Sequence, residues 1–396
     1  MPSALPPALD RRHFLTLAGA GAVAAPSLLS TAALAAAPVR GVPKGAIVIN
    51  ALGGLDNPNG EPDAPAPKTG IGGAAREIID RRVIDDARAS GLTAVNITLG
   101  YVAGDMEPFE HTVREIGIWE RRIQDNPKDF LKILTAADIL RAKRENRIGI
   151  LYGFQNSVMM GKDASRAGIF ADLGVRIFQL TYNPANAVGD GSMAPQNRGI
   201  TPFGRELIER LNEERVMVDL SHSGEKTCLE AARLSKQPIS INHTGCRALT
   251  DLPRNKTDAE LRLVAERGGF VGIYFMPFLN PSSKATAADV VAHIDHAVNV
   301  CGEDHVGIGT DGGITTIDDM AAYRVMMAKQ IADRRAAGIG AKGENADTVP
   351  FVMDLRGPSQ FHDLADRLRA KGYKEARIEK ILGLNFVAYA KTVWGA

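Results

Sequence analysis

Val218-Asp-Leu-Ser-His222 and Ile239-Ser-Ile-Asn-His243 are the two stretches that decide the fold of this chain. Each is a short apolar run that ends in a histidine, and a segment of helical pattern separates them. This order predicts two neighbouring parallel strands, with both imidazoles at the same end of a sheet. α/β enzymes build their active sites at that end. The alternative interpretation is that two unrelated histidines cap their strands and share no site.

Eight apolar, β-branched runs follow one another along the chain, and helical patterns lie between them. The runs are 46–50, 93–98, 148–153, 175–180, 216–220, 238–242, 270–275 and 305–310. The helical patterns include 77–90, 135–147, 203–215, 258–267 and 287–300, with Thr135 as an N-cap ahead of Asp138, and 358–393 is expected to form two further helices. Eight strand–helix repeats predict an α/β fold of the (β/α)8 TIM-barrel type rather than an open doubly wound sheet.

The composition favours a small-molecule partner. Lysine and arginine number 47 against 46 aspartates and glutamates, so no global field attracts nucleic acid or an acidic membrane surface. The chain has only three cysteines, Cys228, Cys246 and Cys301, which excludes a disulfide framework.

The N-terminus has the pattern of an export signal. Arg11 and Arg12 precede an Ala-rich stretch that runs to about Ala37, and Ala33-Leu34-Ala35 supplies a small-x-small cleavage site. We expect residues 1–35 to be a Tat-type signal peptide and 36–396 to form a single barrel domain in the periplasm, without membrane contact once the signal is removed. The alternative is an N-terminal membrane anchor.

Polar residues that follow the predicted strands form one candidate site. Gln155, Tyr182, His222, His243 and Asp311 follow the third, fourth, fifth, sixth and eighth strands. Neutral imidazoles, oxygen ligands and a proton shuttle are the groups that a hydrolytic metal site needs. Asp311 could instead be a turn-forming aspartate before Gly312.

Several motifs in register carry a family resemblance. They are Asp219-Leu-Ser-His-Ser223, Ile241-Asn-His-Thr244 with Arg254-Asn255, and Asp304-His-Val-Gly-Ile-Gly-Thr-Asp311. Together they resemble the membrane (renal) dipeptidase family of zinc peptidases, and the match runs from about Ile148 to Phe386. The resemblance implies a distorted (β/α)8 barrel of the metal-dependent hydrolase type, two bridged zinc ions, hydrolysis of dipeptides and a possible homodimer.

Carried over residue by residue, the resemblance gives roles to four positions. His222 and His243 match the two histidines of one metal, Arg254 matches the arginine that holds the substrate carboxylate, and Asp311 matches the proton shuttle. Tyr182 stands where the family has a substrate-binding histidine, and it is expected to contact substrate.

The sequence departs from the family at the other metal. Leu52 and Gly54 occupy the positions of a metal-binding His-x-Asp pair, and Gln155 replaces the bridging glutamate. Because a neutral amide cannot bridge two cations as a carboxylate does, the second ion should be absent. Two interpretations stay open: a metallohydrolase of dipeptides or related small amides with one zinc ion on His222, His243 and the Gln155 carbonyl, or a metal-free, non-catalytic relative that binds peptides or small molecules.

Overall fold

The apolar runs form one sheet of parallel strands in the computed structural model, which describes residues 40–59 and 79–395. The strands are β1 Ile49–Gly53, β2 Ala94–Leu99, β3 Phe130–Lys132, β4 Ile148–Phe154, β5 Val175–Gln179, β6 Met217–Asp219, β7 Ser240–Thr244, β8 Phe270–Ile273 and β9 Val306–Ile308. They are ordered β1-β2-β4-β5-β6-β7-β8-β9, and β3 pairs with β4 alone. All eight predicted runs are therefore strands, and the (β/α)8 barrel is confirmed.

Strand β3 is the one that the sequence pattern did not reveal. It has three residues and pairs with Ile148–Ile150, at the start of β4, whereas β5 pairs with the end of β4 from Tyr152 onward. A three-residue run is too short to show an apolar period, so only the tertiary pairing distinguishes it from the surrounding loop.

The barrel closes between β1 and β9 through irregular hydrogen bonds instead of a strand ladder. The Asn50 side chain accepts from the Thr310 backbone N–H at 2.8 Å and donates to the Thr310 hydroxyl at 2.8 Å. The Asp311 N–H donates to the Leu52 carbonyl at 2.9 Å, and the Gly54 N–H donates to the Gly312 carbonyl at 3.1 Å. This seam departs from a regular strand ladder, and it places Asp311 beside Leu52.

Helices alternate with the strands. Their bounds are α1 Arg81–Ala89, α2 Pro108–Asp125, α3 Ala136–Arg144, α4 Arg166–Asp172, α5 Pro202–Glu213, α6 Glu225–Leu234, α7 Asp258–Glu266, α8 Ala287–Cys301, α9 Met320–Ala336, α10 Gln360–Ala370, α11 Glu375–Glu379 and α12 Asn385–Trp394. Thr135 caps α3 as predicted, in a reciprocal capping box with Asp138. At the amino-terminal end of the barrel, α12 packs Phe386 and Tyr389 against Phe270 of β8.

The C-terminal region differs from the expected pair of helices. It has three, and a π-helical turn, Lys380–Leu384, joins α11 to α12. Gly383 lies in this turn, and a β-carbon at that position would come within 2.5 Å of the Ile47 carbonyl oxygen. The wide turn therefore lets the chain pass close to the backbone that leads into β1, a tertiary contact that leaves no local sequence signal.

The predicted signal peptide over 1–35 lies outside the described residues, so that assignment stays a prediction. No helix in 40–59 or 79–395 is long and apolar enough to cross a membrane.

Candidate active site

The predicted site residues lie at, or just after, the carboxyl ends of their strands. The His222 and His243 rings lie 5.0 Å apart, measured between centroids, at an interplanar angle of 61°. Tyr182 stacks on His222 with a centroid distance of 4.2 Å and an angle of 24°. The structure thus brings together the two histidines that the sequence placed on neighbouring strands. The ring of Tyr182 packs against one face of His222.

A buried carboxylate fixes the spacing of these two strand ends. One oxygen of Asp219, the last residue of β6, accepts from the Ser221 N–H at 3.0 Å, from the Ser221 hydroxyl at 2.5 Å and from the Asn242 N–H at 3.0 Å. The Ser221 hydroxyl accepts from the His243 N–H at 3.1 Å. These bonds cross from the loop after β6 to β7, so the backbones that carry His222 and His243 are held together without using either imidazole.

Both imidazoles are neutral. Burial lowers the pKa of His222 and of His243 well below the ordinary value, and the nearby Arg254 guanidinium lowers each further. Nδ1 of His222 lies 2.8 Å from the Asn183 side-chain oxygen, whereas neither ring nitrogen of the fully buried His243 has a hydrogen-bond partner among the described residues. Because buried polar nitrogens are normally satisfied, the His243 ring is positioned for a group that the described residues do not supply.

Arg254 presents part of its guanidinium to the same site. The residue is 2 % exposed, Nη1 donates to the Ser221 carbonyl at 2.5 Å, and Nη2 has no hydrogen-bond partner in residues 40–59 and 79–395. Its backbone carbonyl accepts from the Thr244 hydroxyl at 3.1 Å, which anchors the segment to β7. A buried guanidinium with an unused donor is suited to a carboxylate or another planar anion.

Asp311 is the candidate proton carrier. Burial raises the pKa of its carboxyl to about 6, although Arg254 and a hydrogen bond from the Gln155 side chain both act to lower it. The backbone at Asp311 has a φ of 57°, in the left-handed region, which Asp and Asn adopt more readily than other residues with side chains. The raised pKa places this carboxyl between acid and base forms near neutral pH.

A cavity of about 360 Å³ opens beside Asp311 and Gln155, at the positions where the family pattern has its other metal. Leu52 and Gly54, at and just after the end of β1, line it. Glu115 lies in its wall and accepts from the Gly100 N–H at 2.6 Å. The cavity therefore occupies the place of the missing ligand pair.

The described residues offer few side chains that could bind a metal ion. The described part of the chain contains no cluster of three or more His, Cys, Asp or Glu side chains that could hold an ion. Two neutral, buried imidazoles remain, and each has one unprotonated nitrogen, so His222 and His243 could supply two ligands to a single ion. The first-strand positions supply none, because Leu52 and Gly54 carry no ligating group.

Some residues that build the site were not predicted from the sequence. Asp219 lies within the quoted Asp219–Ser223 motif, where a carboxylate at the end of an apolar strand is a recognisable signal. Asn183 gives none, because it is one of several polar residues in a loop rich in Asn and Gly, and only its contacts show its position.

Comparisons with known proteins agree with this architecture. Residues 87–338 match the family model of membrane dipeptidase, peptidase family M19. A Klebsiella pneumoniae protein encoded in the pqqA 5′ region is 27% identical over 305 residues, 74% of this chain and 99% of its own length. Dipeptidase tcpJ of Claviceps purpurea is 28% identical over 278 residues. The matched region covers 69% of this chain and 58% of that relative's length.

Solved structures show the same fold. An amidohydrolase from Pseudomonas aeruginosa superimposes with a TM-score of 0.72 at 31% identity, covering 89% of this chain and 97% of that one. A Rhodobacter sphaeroides metallopeptidase, bound to a phosphinate mimic of L-Ala-D-Ala, gives a TM-score of 0.67 at 19% identity, over 88% of this chain and 100% of the other. With the matched motifs, these similarities establish that the chain belongs to the membrane dipeptidase family, peptidase family M19.

Proposed function

We propose that the protein is a dipeptidase-like hydrolase that cleaves dipeptides or related small amides and uses one zinc ion instead of two. The observation that carries this proposal is the grouping at one end of the barrel of two neutral imidazoles, a buried guanidinium with an unused donor, and a carboxyl whose pKa is raised to about 6. These groups match, in order, a metal site, a carboxylate anchor and a proton shuttle.

The protein groups have separate tasks in this proposal. Arg254 binds the C-terminal carboxylate of the substrate and so orients the amide. Asp311, when ionised, accepts a proton from the attacking water and delivers it to the leaving amine. A zinc ion held by His222 and His243, with the Gln155 carbonyl as a further oxygen ligand, would supply Lewis-acid chemistry at the amide.

A second candidate function, a binding protein without catalysis, is favoured by one specific observation. Among the described residues, no third His, Cys, Asp or Glu side chain forms a metal-binding group with the two imidazoles, and catalytic zinc sites ordinarily have three protein ligands. Arg254 would still bind a carboxylate in that case, so binding and hydrolysis have to be measured separately.

Metal content tests the one-ion proposal. We expect elemental analysis of the purified protein, after dialysis against zinc-containing and then zinc-free buffer, to give no more than one ion per chain. His243→Gln should lower this value towards zero, whereas His296→Gln, a control on α8 whose ring pairs with Asp258 at 2.8 Å, should leave it unchanged. Two retained ions per chain would contradict the proposal, and zero would favour the binding protein.

Substrate selectivity tests the role of Arg254. We expect Arg254→Met to raise KM for a dipeptide by about 10- to 200-fold, the factor that corresponds to losing a hydrogen bond to a charged group. The KM for the same dipeptide with a C-terminal amide should change little, because that compound offers no carboxylate to Arg254. Arg247→Met is the matched control, since Arg247 is half-buried in the same segment but pairs with Glu225 at 3.4 Å. An equal loss for both substrates would show that Arg254 does not bind the carboxylate.

A further inference from the structure

Asn183 contacts the site from a direction that the proposed function does not use. It follows Tyr182 in the loop after β5 and is 3 % exposed. Its side-chain oxygen lies 2.8 Å from Nδ1 of His222, and its side-chain nitrogen donates to the Ile339 carbonyl at 2.8 Å. One amide therefore bridges an active-site imidazole and the segment that follows α9.

This arrangement determines the position of the proton on the imidazole. A backbone carbonyl can only accept, so the amide nitrogen of Asn183 must face Ile339 and the amide oxygen must face His222. An amide oxygen is also only an acceptor, so Nδ1 of His222 must carry hydrogen. The neutral ring then has its lone pair on Nε2, the nitrogen left for a metal ion or a proton.

Two further contacts restrict His222, one at its ring and one at its backbone. Tyr182 stacks on one face of the ring at 4.2 Å between centroids, and the Ser192 N–H donates to the His222 backbone carbonyl at 2.7 Å. Stacking fixes the plane of the ring, whereas the Asn183 bond fixes its rotation within that plane. Together, the stacking contact and the hydrogen bond allow the Nε2 atom of His222 to point in only one direction.

The segment that orients Asn183 is itself held by ion pairing. Arg334, near the end of α9, pairs with Glu344 at 2.7 Å, and a Glu344 oxygen accepts from the Ala341 N–H at 3.1 Å. The Ile339 N–H donates to the Arg334 carbonyl at 3.0 Å. These bonds fix the turn that presents the Ile339 carbonyl to Asn183.

We propose that Asn183 is a positioning residue that holds His222 in the Nδ1–H tautomer with Nε2 directed into the site, and that the turn after α9 sets the orientation of its amide. The inference concerns a member of the site on which the proposed function rests, but its main test requires no catalysis. Replacing a residue that hydrogen-bonds to a metal-binding histidine typically changes metal affinity or activity by 10- to 100-fold.

The test is nitrogen NMR of the protein labelled with 15N-histidine, in the zinc-free state and at a pH where His222 is neutral. In the unaltered chain, we expect Nδ1 of His222 to give a protonated, pyrrole-type signal and Nε2 an unprotonated, pyridine-type signal. The reverse pattern would overturn the proposal, and this outcome needs no variant. The His222→Gln spectrum assigns the signals by their loss.

Variants separate the tautomer effect from a general structural one. Asn183→Leu should reverse or average the two signals, whereas Asn183→Asp should keep the Nδ1–H pattern because a carboxylate still accepts from Nδ1. Asn186→Ala is the control, since Asn186 in the same loop bonds to Asn156 and Ser157 but not to His222. It should leave the His222 signals unchanged. A folded Asn183→Leu protein with the unaltered pattern would contradict the proposal.

We expect the two Asn183 variants to differ in activity as they differ in the NMR spectrum. If the chain hydrolyses dipeptides, Asn183→Leu should lower kcat by about 10- to 100-fold with a smaller change in KM, and Asn183→Asp should recover part of that loss. If the chain hydrolyses nothing, the NMR result stands alone, so failure of the proposed function and failure of this inference give different results.

Discussion

Asp311→Asn should strongly reduce dipeptide hydrolysis and leave metal content unchanged. General acid–base catalysis contributes about 10²- to 10⁴-fold, and kcat/KM should fall by that factor because the amide can neither accept nor deliver the proton. Asparagine is the matched replacement, since it tolerates the left-handed backbone at this position, where φ is 57°. The measurement is kcat/KM on L,L and L,D dipeptides in the presence of zinc.

The pH profile supplies an independent part of the same prediction. Asp311 must be ionised to accept the proton, and burial raises its pKa to about 6. We therefore expect kcat/KM to fall as the pH drops through about 6, and this acid limb should disappear from any residual activity of Asp311→Asn. A pH-independent rate between 5 and 7 would contradict the assignment of Asp311 as the proton carrier.

The free energy of unfolding shows whether Asp311→Asn loses activity through lost proton transfer or through lost structure. The Asp311 pKa is higher in the folded state than the ordinary value of 3.8, so ionisation costs folding free energy that appears as the pH rises from about 4 to 6. Asparagine avoids this cost, and the variant should be as stable as the parent at pH 7, or more stable by up to about 3 kcal/mol. Asp304→Asn is the control, because Asp304 is exposed, pairs with Lys380 and should not affect catalysis.

The sequence predicted the parts of the fold that have a local pattern. Eight apolar runs and the helical patterns between them were sufficient to predict the barrel. The ends of those runs placed His222, His243 and Asp311 at the carboxyl ends of their strands. The pattern did not reveal β3 or the π turn at Gly383, because tertiary pairing and a close backbone approach determine them. Asn183 was missed for the same reason.

The pairing of Gln155 with Asp311 gives a physical reason why the metal-site substitutions occur together. The Gln155 side chain bonds to the Asp311 carboxyl, which is already costly to ionise in its buried setting. A glutamate at 155 would place a second carboxylate there, and without a second cation the two would repel each other. With Leu52 and Gly54 at the first-strand positions, an amide at 155 is thus the more stable choice, which agrees with the proposal of a single ion.

Restoring the ligands should therefore require all three changes at once. We expect the variant with Leu52→His, Gly54→Asp and Gln155→Glu to bind a second zinc ion, raising the content from at most one ion per chain to two. Gln155→Glu alone should gain no ion and should be less stable than the parent at pH 7, because its carboxylate would repel that of Asp311. Elemental analysis and thermal unfolding measure the two outcomes.

The geometry of β1 decides whether this reconstruction can succeed. Leu52 and Gly54 line the cavity of about 360 Å³ that also includes Gln155 and Asp311, which leaves room for an ion. A β-carbon on Gly54 would meet only the Asp56 carboxylate, at 3.0 Å, whereas one on Gly53 would lie 2.1 Å from the Asn50 side-chain nitrogen. Position 54 therefore accepts a side chain where position 53 cannot.

The control for the reconstruction replaces the new aspartate by its neutral isostere. Gly54→Asn, combined with Leu52→His and Gln155→Glu, has nearly the same shape but one anionic ligand fewer, and it should hold the second ion more weakly. If the aspartate form folds but gains no ion, the end of β1 does not direct its side chains at the cavity as the family pattern requires. If both forms gain the ion equally, position 54 is not a ligand, and another carboxylate near the cavity has taken that role.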